Sequence, residues 1–203
     1  MGAERVAENK ALVWSGEHWI AYLKNHDNQA DVGRVSLYRV TYSSAGEGHV
    51  AFVDIPDEAF TGIYTDSVKL AEFITKTVAR GPSNNNFYRH DMPILEAEIT
   101  RSGDVRTTPS WTIDAEGGAI EAVWTSIHPP VILEGPGPDN NGAAVTHSLL
   151  FFANEATISF NGKSIGGVVY VRDDWIRAIG RQGTSAVFAI AETTTTTTTT
   201  TND

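Results

Sequence analysis

The chain has 203 residues, a net charge of −10 and no cysteine. The acidic charge disfavours nucleic acid and anionic membrane surfaces as partners, and the absence of cysteine excludes disulfides and thiolate chemistry. No apolar run reaches the 18 residues that would predict a transmembrane helix. The first residues lack the apolar core of a signal peptide, so we expect a cytoplasmic protein.

The first half of the chain combines β-like segments with one helix. Residues 15–24 are compatible with either a strand or a short helix, and we favour strand or irregular structure. Residues 34–43 are rich in Val, Tyr and Thr, and together with residues 49–55 they predict a β-hairpin. Residues 66–80 carry an apolar face at helical spacing, and Asp66 is a suitable N-cap. We therefore predict one amphipathic helix at this point.

The second half begins with alternating residues and a clear hairpin. Leu95, Ala97 and Ile99 alternate with polar residues, as in a half-buried strand. Residues 107–128 predict a hairpin. With its loop at residues 115–118, an apolar face is shared by Trp111, Ile113, Ile120, Ala122 and Trp124. A slip of one residue would reverse the second strand, so this face depends on the pairing register.

The last quarter of the chain is also mainly β-like. Residues 144–160 predict one long strand or two, and Asn161 with Gly162 is typical of a type I′ hairpin turn. Residues 172–180 are compatible with a short helix. Residues 184–192 are nearly all apolar and indicate a buried strand.

Eight to ten short strands and one good helix favour a mainly β fold. We predict an antiparallel β-barrel or half-barrel of calycin-like shape with one flanking α-helix. A large sheet with one apolar face tends to curl and close, which removes its edges. The predicted domain covers residues 1–192. Residues 193–203, which contain a threonine run, are expected to form a disordered tail, and pairing of the run with a sheet edge is the alternative.

Motifs for nucleotide cofactors, phosphate transfer and zinc hydrolysis are missing from the sequence. The six histidines contain no pair at helical i, i+4 spacing. We therefore predict no cofactor and no metal site.

Two histidines are the candidates for catalysis. Counting by twos along the predicted strands places His128 on the face of Trp124, and His147 on the face of Leu149 and Phe151. An inward histidine among apolar neighbours could move protons, and the alternative is a histidine bonded to a backbone carbonyl. The partner of the histidine would be a tyrosine or Asp54, a carboxylate at the end of another apolar face that could also cap a loop.

The predicted ligand-binding residues are mostly aromatic. Trp111 and Trp124 could line an interior cavity or simply form core. Tyr38 and Tyr42 lie on the predicted strand at residues 34–43, where they could instead be core residues with the hydroxyl at the rim. His90 lies in a loop at one end of the fold, which could face a pocket mouth or simply be a polar rim loop.

These residues predict a cofactor-independent small-molecule enzyme that uses acid–base chemistry in an aromatic-lined interior. The reaction would be an isomerisation, dehydration, hydration or cyclisation. The alternatives are a non-catalytic carrier of a small hydrophobic ligand and a structural or interaction domain without a pocket. The expected partner is a small hydrophobic or aromatic molecule, with a homodimer left open, and neither nucleic acid nor membrane is expected.

Overall fold

Strands dominate the structure, which is a computed structural model that describes residues 9–79, 91–136 and 144–198. A short 3₁₀ helix at Pro56–Glu58 precedes the fourth strand. In chain order the strands and α-helices are β1 (Asn9–Lys24), β2 (Asp31–Ser43), β3 (Gly48–Ile55), β4 (Phe60–Thr65), α1 (Val68–Thr77), β5 (Ile94–Ser102), β6 (Ser110–Ala115), β7 (Gly118–Ile127), β8 (Val131–Pro136), β9 (Ala144–Phe160), β10 (Lys163–Ser164), β11 (Val171–Arg172), α2 (Trp175–Ile179), β12 (Gly183–Thr184) and β13 (Ala186–Thr198).

Nine of these strands form a ring of hydrogen bonds. The order is β9, β13, β1, β2, β3, β4, β5, β6 and β7, and β7 pairs again with β9. All neighbours in the ring are antiparallel except β4 and β5, which are parallel. A parallel pair needs a crossover connection, and α1 lies in it. The sheet is thus mainly antiparallel, as predicted, with one parallel pair that the sequence analysis did not anticipate.

The side chains inside the ring form one packed hydrophobic core with members from all nine strands. Trp19 stacks on Phe188 with ring centroids 4.1 Å apart, and it meets Trp124 edge to face at 5.3 Å. The indole of Trp124 donates to the carbonyl of Ile20 at 2.9 Å. The aromatic residues of the interior therefore pack against one another.

The predicted β6–β7 hairpin is confirmed in its register. Trp111 pairs with Ala122, Ile113 with Ile120, and the chain turns between Ala115 and Gly118. All the residues predicted to share the apolar face belong to the interior core.

Helix α1 packs on the outside of the ring through Leu70, Ala71 and Ile74. It is shorter than predicted, and Ser67 rather than Asp66 is its N-cap, with the Ser67 hydroxyl accepting from the Leu70 amide at 3.4 Å. Asp66 instead accepts from the backbone amide and ring of His49. The prediction of Asp66 as cap is wrong because that carboxylate bonds across to β3. No helix within the described residues is long and apolar enough to span a membrane.

The threonine run does not begin a disordered tail at Thr193. Residues up to Thr198 continue β13, which lies between β1 and β9 and pairs with both. The two neighbouring strands provide hydrogen-bond partners for the backbone groups of the run. These hydrogen bonds offset the entropy cost of ordering the chain, whereas the prediction of a disordered tail considered that cost without them. Residues 199–203 lie outside the described residues.

Candidate functional site

A cavity of about 630 Å³ lies against the outer face of the ring, over strands β1, β2, β9 and β13. Strand β8, helix α2 and the two residues after α1 complete its walls. Its apolar lining comes from the two clusters that cover the outer face and includes Trp14, Ile20, Tyr38, Val78, Leu133, Leu150, Trp175 and Val187. The volume is within the range of small-molecule sites.

Strand β1 supplies residues to both faces of the ring by simple alternation. Trp19 and Ala21 point into the interior core, while His18 and Ile20 line the outer cavity. His18 stacks on the ring of Tyr38 with centroids 4.0 Å apart. The side chain of His18 is 16% exposed, so the imidazole forms part of the cavity floor.

A β-bulge in β13 brings a carboxylate into the same floor. The pairing of β13 with β9 shifts between Ala189 and Ala191. Before the shift, Val187 and Ala189 pack on the outer face. After it, Glu192 and Thr194 line the cavity. Without the bulge, the odd-numbered residues would continue along the outer face. The extra residue shifts the alternation by one, so the even-numbered Glu192 lies on the outer face instead.

His18 and Glu192 therefore meet although they come from the first and last strands. The distance from His18 Nδ1 to Glu192 Oε1 is 3.9 Å, which is too long for a hydrogen bond. On its other side His18 Nε2 lies 2.9 Å from Ser36 Oγ. The Ser148 hydroxyl donates to Glu192 Oε2 at 3.0 Å. A small gap thus separates an imidazole and a carboxyl group that are each held by a serine.

Burial favours the neutral forms of both groups. It lowers the pKa of His18 to about 3 and raises the pKa of Glu192 to about 7, although the hydrogen bond from Ser148 lowers the latter. The pair at neutral pH is therefore a neutral imidazole beside a carboxyl group that readily gains and loses a proton. The 3.9 Å separation is consistent with this, because a fixed ion pair would be closer.

A second polar group lies farther along the same cavity. Trp14 Nε1 donates to the Thr194 hydroxyl at 3.0 Å, and the Thr194 hydroxyl lies 2.8 Å from that of Thr146. All three residues line the cavity. Since Thr194 follows Glu192 by two residues on one strand, the two polar groups are roughly 7 Å apart.

The described part of the chain contains no group of three or more His, Asp or Glu side chains placed to hold a metal ion. The candidate site is therefore built from an imidazole, a carboxyl group, hydroxyls and aromatic rings.

The three residues predicted to be catalytic each have a different partner. His128 Nε2 lies 2.8 Å from Asn154 Oδ1, His147 Nδ1 lies 3.3 Å from Glu134 Oε2, and Asp54 accepts from Arg34 at 2.5 Å and from Thr61. None of the three is among the described residues that line the cavity.

His128 is exposed instead of facing inward. The alternation of β7 breaks at Ser126, which has a φ of +55°. Ile127 then packs against the interior core, and His128 is exposed. His147 is half-exposed, with 43% of its side chain accessible.

The predicted ligand-binding residues separate into three groups. Tyr38 lines the cavity. Trp111 and Trp124 lie in the packed interior, and Tyr42 is 52% exposed on the surface. His90 lies outside the described residues.

His18 and Glu192 were not among the predicted site residues, although each carried a signal in the sequence. His18 follows the alternation of Trp14, Ile20 and Tyr22 along β1 and is the polar member of that apolar face. Glu192 is the charged residue that ends the apolar run from Ala186. Neither signal indicates that the two strands are neighbours, so the pair could not be assembled without the structure.

Comparisons with protein families, with curated proteins and with solved structures found no match to this chain.

Proposed function

We propose that this protein is a cofactor-independent enzyme that moves protons on a small, largely apolar molecule bound in the outer cavity. The observation that carries the proposal is the pairing of His18 and Glu192, 3.9 Å apart on the floor of an aromatic-walled cavity. A carboxyl group and an imidazole side by side in a cavity of suitable size can supply the base and the hydrogen-bond donor that isomerisation or dehydration by proton transfer needs.

Glu192 is the group that moves the proton. A catalytic acid or base works best when its pKa is near the working pH, because both protonation states are then available. Burial brings the pKa of Glu192 to about 7. In its ionised form the carboxylate takes a proton from substrate, and it then returns that proton to another carbon or to a departing hydroxyl group.

His18 acts as a neutral hydrogen-bonding group. Its lowered pKa keeps the imidazole uncharged at neutral pH. When Ser36 donates to Nε2, the ring hydrogen lies on Nδ1, the nitrogen that faces Glu192. That N–H can donate to a substrate oxygen on which negative charge develops. The stacked ring of Tyr38 fixes the orientation of the imidazole.

The base activity can be tested with 5-nitrobenzisoxazole, an uncharged aromatic probe. Removal of its C–H proton by a base breaks the N–O bond, and the electrons leave as a coloured phenolate. We expect the wild-type protein to accelerate this reaction with a rate that rises as Glu192 ionises near pH 7. Glu192→Gln should lower the rate at least about 100-fold, since a positioned base contributes that much.

The matched control is Glu155→Gln, which removes an exposed carboxylate that accepts from Thr125 and Ser126. This variant should keep the wild-type rate. A wild-type rate no higher than that of Glu192→Gln would overturn the proposal of a catalytic base.

The second candidate function is a carrier, which the largely apolar walls of the cavity favour. A carrier would bind the benzisoxazole or a similar aromatic molecule at this site without accelerating its reaction. Saturable binding together with an unchanged rate would therefore select the carrier over the enzyme.

The ring of nine hydrogen-bonded strands supports the further proposal that the fold is the barrel expected from the sequence. In that interpretation the barrel interior provides rigidity, and the ligand binds on its outer wall.

A further inference from the structure

The second polar group in the cavity, formed by Trp14, Thr194 and Thr146, has one hydrogen-bond donor more than it uses internally. The indole N–H and the two hydroxyl groups together offer three hydrogens. The bond from Trp14 to Thr194 uses one, and the bond between the two hydroxyl groups uses a second. One hydroxyl hydrogen is left, whichever threonine donates to the other.

That remaining hydrogen has no acceptor among residues 9–79, 91–136 and 144–198 of this chain. Thr194 is buried and Thr146 is half-buried. Both belong to the cavity lining, so an acceptor for the hydrogen can approach from the cavity. A buried hydroxyl that lacks an acceptor loses the free energy of a hydrogen bond, which favours a ligand that supplies one.

The charges of the lining restrict that ligand further. The described residues that line the cavity include Glu134, Asp174 and Glu192 but neither Lys nor Arg. A bound carboxylate or phosphate would lie near Glu192 without a cation to balance its charge. An uncharged oxygen is the acceptor that suits this lining.

We propose that Thr146, Thr194 and Trp14 form a binding subsite for an uncharged oxygen, such as a ketone or ether oxygen, of an otherwise apolar or aromatic ligand. This rests on the proposed function, because it places the reacting carbon at His18 and Glu192. The two positions on the ligand are then roughly 7 Å apart, the distance that two residues span along a strand. Aromatic or polycyclic ketones of about that length are the substrate class.

The test compares three probes that share a naphthalene skeleton. They are 2-acetylnaphthalene, which carries a ketone, 2-ethylnaphthalene, which carries no acceptor, and 2-naphthoate, which carries a charge. Dissociation constants are measured by isothermal titration calorimetry at pH 6. We expect the ketone to bind about fivefold more tightly than the hydrocarbon, which is the effect of one hydrogen bond. The naphthoate should bind the most weakly.

The decisive variant is Thr146→Val, which removes the hydroxyl and keeps the branched side chain that suits a strand. It should abolish the preference for the ketone and leave the affinity for the hydrocarbon unchanged. Thr157→Val is the matched control, because Thr157 lies on the same strand and is exposed away from the cavity. Circular dichroism of both variants checks that they fold.

A ketone preference that survives Thr146→Val, or that is missing in the wild-type protein, overturns the subsite. Preferential binding of the naphthoate overturns it as well. These failures are distinct from failure of the proposed function, which would appear as a benzisoxazole rate that Glu192→Gln leaves unchanged.

Discussion

At the scale of single residues, Glu192 shows how burial changes the acid–base properties of a side chain. An exposed glutamate would be fully ionised at neutral pH. The side chain of Glu192 is only 14% exposed, and its carboxyl group accepts a hydrogen bond from Ser148. Desolvation therefore exceeds this stabilisation of the anion, and the pKa rises.

This pKa shift predicts a pH dependence of stability. The folded protein holds the proton of Glu192 more tightly than the unfolded chain does, since the folded pKa is about 7 and the ordinary value is 4.5. The stabilisation is complete below pH 4.5 and is lost as the pH rises through 7. Between pH 4.5 and 8 the wild-type protein should lose about 3 kcal/mol relative to Glu192→Gln, a neutral side chain of the same shape.

Urea unfolding of both proteins at the two pH values measures this difference. His18 titrates in the opposite sense, because its lowered pKa costs stability as the pH falls below 6.5. His18 is present in both proteins, so its contribution largely cancels in the comparison. A pH dependence that is the same in wild-type and variant would contradict the raised pKa of Glu192.

At the scale of elements, β13 decides the character of the site. Its first half is the apolar strand that was expected, and its second half is the threonine run. The bulge between the halves turns Glu192 and Thr194 into the cavity. The run then fills the space between β1 and β9, where it gives Trp14 its hydrogen-bond acceptor.

Truncation of the chain after Thr193 tests the structural role of the run. A disordered tail could be removed without consequence. We expect instead a loss of at least about 3 kcal/mol in the free energy of unfolding, because strand hydrogen bonds are lost and the buried indole N–H of Trp14 is left unpaired. Urea unfolding followed by far-UV circular dichroism provides the measurement. The exposed substitution Thr197→Ala should change the stability by less than about 0.5 kcal/mol, and an equally stable truncated chain would contradict the role assigned to β13.

At the scale of the whole molecule, we expect the interior of the ring and the cavity on its outer face to have different tasks. The interior is filled by aromatic side chains such as Trp19, Trp124 and Phe188. The outer cavity is walled by α2 and by β8, which pairs with β9 at the side of the ring. We therefore expect stability to depend mainly on the interior, and binding of the proposed ligand to depend on the outer wall.

Two tryptophan substitutions separate these tasks. Trp124→Ala should lower the free energy of unfolding by about 3–5 kcal/mol, which is the usual cost of truncating a large side chain in the core. The folded variant should keep its affinity for 2-acetylnaphthalene within about twofold. Trp175→Ala should weaken binding of the same probe more than it lowers stability, because Trp175 is a half-buried wall residue.

Calorimetry for affinity and urea unfolding for stability provide the two readouts. If Trp124→Ala fails to fold, Trp124→Phe keeps most of the ring volume and allows the same comparison. Loss of binding in a well-folded Trp124 variant would place the ligand inside the ring instead.

The sequence by itself determined the local elements. The β2–β3 hairpin, the β6–β7 register and the turn at Asn161 and Gly162 follow from alternation and turn chemistry, which act over a few residues. The helix α1 also followed from local periodicity, with its cap displaced by one residue. Strands β4 and β8 were not predicted, because short apolar runs beside a turn or proline lack a distinctive period.

The tertiary structure alone decided which strands are neighbours and which faces they present. The contact between His18 and Glu192 depends on the pairing of β1 with β13 and on a bulge that no local pattern marks. The exposure of His128 depends in the same way on one residue with positive φ. A single irregular residue reverses every side chain beyond it, and the position of such a residue is set by long-range packing. For that reason the sequence indicated which residue types could carry acid–base chemistry, and the fold selected the pair.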